Sequence, residues 1–118
     1  GNDILNGLAS IEETVANIHA IIDTLQGRNP EVTIIIEELA PGKSDFMTAE
    51  FTADFEAMQQ EVQTIADQQT TSSSPVITVD MFTGFTDAML ADEVHYNEAG
   101  ADFIASRYYS VLVNVLEQ

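Results

Sequence analysis

The chain has 118 residues, enough for one domain with a hydrophobic core and too few for two. It carries 20 acidic and 3 basic residues, a formal net charge of −17. Such a surface repels phosphate backbones and anionic lipid, so nucleic acid and membranes are poor partners. Apolar residues make up 45% of the chain, which excludes a disordered acidic tail, and the absence of cysteine excludes disulfides and thiolate metal sites.

Residues 1–9 read as a loop or turn, with Asn2, Asp3, Asn6 and Gly7. Ser10-Ile11-Glu12-Glu13 is a capping box, in which serine and glutamate each satisfy a backbone donor at a helix start. The helix it opens carries Ile11, Val15, Ile18, Ile22 and Leu25 as one apolar stripe. Gly27 is expected to end it, and Pro30 forbids resumption. His19 sits beside the stripe and is expected to be partly exposed.

Val32-Thr33-Ile34-Ile35-Ile36 is a continuous β-branched run, the pattern of a strand covered on both faces in a parallel sheet. Glu37 and Glu38 close it, with a plain edge role favoured over tuning of substrate choice. Pro41-Gly42 breaks the chain. A second helix is expected over Thr48–Asp67, on the spacing of Phe51, Phe55, Met58, Val62 and Ile65. Gln68–Ser74 reads as a polar surface connection. Pro75 introduces a second buried strand, Val76–Val79, and a loop spans Asp80–Tyr96. Asn97 starts a last helix, its side-chain oxygen a natural N-cap.

Strands alternating with helices predict an α/β layered fold with parallel strands. Two strands under three amphipathic helices leave sheet edges and apolar surface open. Either a partner supplies further strands, or the chain pairs through that edge. No apolar run reaches the ~20 residues of a membrane span, and no basic-then-apolar signal segment is present.

Asp92-Glu93-Val94-His95 places a carboxylate three residues before one of the 2 histidines. In acyl transfer, histidine takes the proton of an attacking serine and a carboxylate fixes the imidazole tautomer. The loop bearing the pair leaves the carboxyl end of the second strand, where sites in open α/β sheets lie. No His/Asp/Glu cluster has metal-site spacing, and this chemistry needs no cofactor.

Asp92-x-x-His95-x-Asn97-x-x-Gly100, running on through Phe103-Ile104-Ala105, resembles the last block of the SGNH (GDSL-type) hydrolases. The family pattern is D-x-x-H-P-N-x-x-G, with Tyr96 here in the place of proline. Gly1-Asn2-Asp3, followed by Ile4-Leu5, is similar to that family's third block, G-x-N-D. The resemblance implies the C-terminal part of a three-layer α/β/α, flavodoxin-like domain spanning residues 1–118. By it, His95 is the general base, Asp92 its orienting acid and Asn2 an oxyanion donor. Asp3 braces the loop of Asn2, Asn97 anchors the loop of His95, and Tyr96 with Phe82 and Phe85 lines an acyl or leaving-group pocket, although the two phenylalanines are more often core.

The family's G-D-S nucleophile block and its oxyanion glycine block have no counterpart in this sequence. Ser44-Asp45 reads G-K-S-D and follows the wrong strand; Ser10 is a cap; Ser72–Ser74 belong to the connection; Ser106 and Ser110 lie in the last helix. The serine is therefore expected from a preceding segment or a companion chain. The implied reaction is hydrolysis of a small carboxylic ester, with short acyl groups on carbohydrate as the attractive substrate and a secreted or periplasmic location favoured. Loss of one oxyanion donor typically removes ~2.7–4 kcal/mol of transition-state stabilisation. Asn2→Ala in an assembled enzyme is accordingly expected to cut turnover ~100-fold or more without unfolding, as steady-state kinetics beside a melting curve would register. The competing reading is a noncatalytic acidic α/β module that pairs through its open sheet edge.

Overall fold

The computed structural model describes Gly7 and residues 10–117. Among the described residues the element order is α1 (Ile11–Arg28), β1 (Ile34–Glu38), α2 (Ala49–Gln69), β2 (Val76–Asp80), a 3-10 turn (Asp87–Met89) and α3 (Glu98–Leu116). β1 and β2 pair in parallel, from Ile34 opposite Val76 to Glu38 opposite Asp80. This is the α/β architecture the alternation of strands and helices implies.

Strand side chains alternate between faces. Ile34, Ile36 and Val76 point to α1 and α2, where Ile22, Phe55, Met58, Val62 and Ile65 form the buried core. Glu37 points the other way, to α3, where its carboxylate accepts the Tyr108 hydroxyl. The sheet is thus the middle of three layers.

The capping box forms as expected: Glu13 N–H donates to Ser10 Oγ at 3.1 Å, and Ser10 N–H to Glu13 Oε2 at 3.0 Å. Gly27 does not end α1. The helix runs one residue further, to Arg28, because Asn29 closes it in an extended conformation with its N–H on Leu25 O at 2.9 Å. No left-handed glycine is needed there. Leu25 also departs from its stripe. It is 42% exposed, and with Ile21 it lines an open groove also bounded by Asn17, Ala20 and Thr24.

β1 lies two residues later than the apolar run suggests. Both glutamates belong to the strand because each carboxylate has a partner: Tyr108 for Glu37, and Gln63 Nε2 at 3.0 Å for the buried Glu38. Gln59, buried in α2, donates to Leu39 O at 2.7 Å and accepts from Leu39 N–H at 2.8 Å. One side-chain amide thus continues the backbone pairing and fixes where the chain leaves β1.

The Gln68–Ser74 run is not all surface. α2 extends to Gln69, and Ser74 is 1% exposed. Ser74 Oγ donates to Val32 O at 2.5 Å, and Gln26 Nε2 donates to Gln69 O at 3.0 Å and to Ser74 Oγ at 3.2 Å. These bonds satisfy polar groups that could not otherwise be buried. His19 is half-buried, its Nδ1 2.7 Å from Gln69 Nε2. No described helix is long and apolar enough to cross a membrane.

Candidate active site

Past β2 the chain is turned by Asp80, whose Oδ1 accepts from the N–H groups of Phe82 and Thr83, each at 2.8 Å. Burial pushes the Asp80 carboxyl up, but the Thr83 and Phe82 hydrogen bonds and the nearby Arg107 guanidinium outweigh it and hold the group below the ordinary carboxylate range. Arg107, from α3, donates to Asp80 O at 3.0 Å and Thr83 O at 2.8 Å and lies 4.5 Å from the Phe103 ring centroid. It closes this turn. Phe85 then packs edge-on against Tyr96 and Phe103, with centroids 5.7 and 5.6 Å away.

The segment that follows is a small hairpin. Leu90 and Tyr96 form an antiparallel bridge, and Ala91 N–H donates to His95 O at 2.8 Å. Inside it, Asp92 Oδ1 accepts from Val94 N–H at 2.9 Å and His95 N–H at 2.7 Å. Its Oδ2 lies 2.8 Å from His95 Nδ1. The two backbone donors, then the His95 ring, hold the Asp92 carboxyl down at about 2. A carboxylate ionised at neutral pH has no proton to give. In the neutral ring Nδ1 must therefore donate, which leaves the lone pair on Nε2. The side chains of His95 and Asp92 are 78% and 56% exposed. Hydrogen bonds rather than packing hold this pair.

Asn97 anchors the far end of the hairpin. Its Oδ1 accepts from Gly100 N–H at 3.0 Å and caps α3, while its Nδ2 donates to Ala88 O at 2.7 Å. Tyr96 is 44% exposed beside His95, and burial followed by the Glu37 charge pushes its hydroxyl up. Phe82 packs against the core and Phe85 against Tyr96, and both also border a groove of about 250 Å³ with Pro41, Gly42, Met47 and Asp87. Asn2 and Asp3 lie outside the described residues.

Two features were not visible in the sequence. Ser44, set aside there as a nucleophile, gives its hydroxyl to Asp87 Oδ2 at 2.5 Å and its N–H to Asp87 Oδ1 at 2.8 Å. Arg107 serves the Asp80 turn rather than an ion pair. Nothing in residue spacing brings these groups together. Among the described residues no serine hydrogen-bonds to His95, and no group of three or more acidic or histidine side chains gathers as a metal site would require.

No protein-family model matches the chain, and no curated protein sequence matches it. Two solved structures do. One is a carbohydrate esterase family 3 from Talaromyces cellulolyticus, with a TM-score of 0.84 at 28% identity over 98% of this chain and 55% of that one. The other is a mutant acetyl esterase with acetate ion, with the same score, identity and coverage. The chain spans about half the length of the solved structures it matches, and its fold corresponds to a C-terminal part of a carbohydrate esterase fold.

Proposed function

We propose that residues 1–118 are the C-terminal part of an SGNH-type serine esterase acting on short acyl esters, with acetyl groups on carbohydrate as the substrate class. The observation that carries this reading is the Asp92–His95 pair, with Asp92 Oδ2 2.8 Å from His95 Nδ1 on the loop beyond β2. Asp92 holds the imidazole proton on Nδ1. Nε2 takes the proton of a serine hydroxyl as it attacks the ester carbonyl, then returns it to the departing alkoxide. Water repeats the cycle on the acyl-serine. Asn2 donates to the oxyanion, Asp3 braces its loop, and Tyr96 borders the substrate. The serine comes from polypeptide outside the described residues, in the same domain or in a companion chain.

The likeness to carbohydrate esterases supports the substrate class, and the hydrogen-bond geometry of Asp92 supports the roles. The test is hydrolysis of p-nitrophenyl acetate by this chain alone and after addition of a nucleophile-bearing segment. Activity is expected only in the combination and only with His95 intact. Equal activity with His95→Ala would end this reading.

One observation favours the second reading, an acidic module that pairs through its sheet. Among the described residues the sheet has two strands, so each has an unpaired outer edge. Stable self-association without esterase activity in either mixture would favour that reading.

A further inference from the structure

The hairpin bearing Asp92 and His95 is too exposed for packing to hold it, and its internal hydrogen bonds do not fix where it sits on the domain. Asn97 ties down its C-terminal end. Its N-terminal side is held by another segment, the loop that leaves β1. There Ser44 presents two donors to one carboxylate: its N–H to Asp87 Oδ1 at 2.8 Å and its hydroxyl to Asp87 Oδ2 at 2.5 Å. Paired bonds of this kind fix orientation as well as distance. One residue earlier, Lys43 N–H donates to Glu93 O at 2.8 Å, directly beside Asp92. Gly42 lets the two backbones approach, since a Cβ there would lie 3.1 Å from Glu93 O. The β1 loop thus grips the segment at Asp87 and again at Glu93.

Ser44 and Asp87 are both exposed, so neither fills the core. The carboxyl of Asp87 is held below its ordinary range, by the Ser44 hydroxyl first and the Ser44 N–H second. This agrees with a carboxylate whose bonds are made in the folded chain.

We infer that Ser44 and Asp87 are positioning residues, a clamp that holds the hairpin where Asp92 can fix the His95 tautomer. The inference rests on the reading of His95 as the base, but its test reads the ring directly. The experiment uses the ¹⁵N-labelled chain and records the share of His95 carrying its proton on Nδ1, with amide exchange along the sequence. Asp87→Ala and Ser44→Ala are expected to shift the ring toward a free-imidazole mixture. They should speed exchange at Lys43, Val94 and His95 by roughly tenfold or more, and leave α1 unchanged. Ser44→Thr, which keeps both donors, should restore the parent values.

Parent-like tautomer and exchange in both alanine variants would overturn the clamp. So would equal loosening of α1, which would make the pair a general stabiliser. In an assembled esterase the same variants should lower kcat with KM near the parent value. Failure of the parent to hydrolyse any ester would count against the proposed function, while the ring measurement would still decide the clamp.

Discussion

Asp92→Asn is expected to lower kcat for p-nitrophenyl acetate by about 10⁴-fold in the assembled esterase, with KM nearly unchanged. The substitution keeps an oxygen at Oδ1, so the bonds from Val94 and His95 N–H survive and the hairpin keeps its shape. What changes is the group facing the ring. An amide Nδ2 carries protons where the carboxylate Oδ2 had lone pairs, so His95 Nδ1 must accept instead of donate. The ring proton then moves to Nε2, the atom that has to take the serine proton. Ring-nitrogen NMR on this chain alone should show that transfer. Full turnover in the variant would remove Asp92 from the mechanism.

The same carboxylate sets a pH limit on the hairpin. Its folded value of about 2 lies below the unfolded range near ~3.9, so its contribution is complete above the unfolded value and is lost as pH falls through the folded one. Amide protection at Val94 and His95 should therefore persist at pH 4, weaken on further acidification and be gone below about pH 2. Loss between pH 6 and 5 would show that Asp92 does not hold the loop.

Asp92–His95 was legible in the sequence because three residues is the span of one turn, and a carboxylate at that distance can meet both the backbone and the ring of a following histidine. Ser10–Glu13 and Asn97–Gly100 were legible for the same reason, as caps that close within four residues. The helix stripes and β-branched runs announced the layers, though not their limits. Glu37 and Glu38 close the strand as their position implies, but their partners Tyr108 and Gln63 lie too far along the chain for spacing to reveal. Ser44 and Asp87 are 43 positions apart and meet only because β1 and β2 are parallel neighbours that send their loops from the same end. Leu25 belongs to the stripe by spacing, yet it stays 42% exposed, because a periodic pattern states which residues share a face and not how far that face is covered.

Gly100→Ala is expected to destabilise the fold by about 3 kcal/mol. Helix propensity argues the reverse, since alanine in a helix is favoured over glycine by ~1 kcal/mol. Sterics decide the sign. A Cβ on Gly100 would lie 2.2 Å from Met89 O, 3.2 Å from Met89 C and 3.1 Å from Tyr96 Cβ. The nearest obstacle is backbone, which cannot swing aside as the tip of a side chain can. That carbonyl also accepts Asn97 N–H at 3.0 Å, and the adjoining Ala88 O accepts Asn97 Nδ2. Moving Met89 therefore strains these two bonds at the junction of the hairpin and α3. Gly27→Ala supplies the control. It lies in α1 with nothing within 4 Å of an added Cβ, so only propensity acts, and it should stabilise by ~0.5–1 kcal/mol. Thermal unfolding of the two variants should move in opposite directions, with Gly100→Ala lowering Tm by roughly 10 °C or more. A Gly100→Ala chain as stable as the parent would mean that α3 and the 3-10 turn do not approach this closely, and that the hairpin is held by its own bonds and by Asp87.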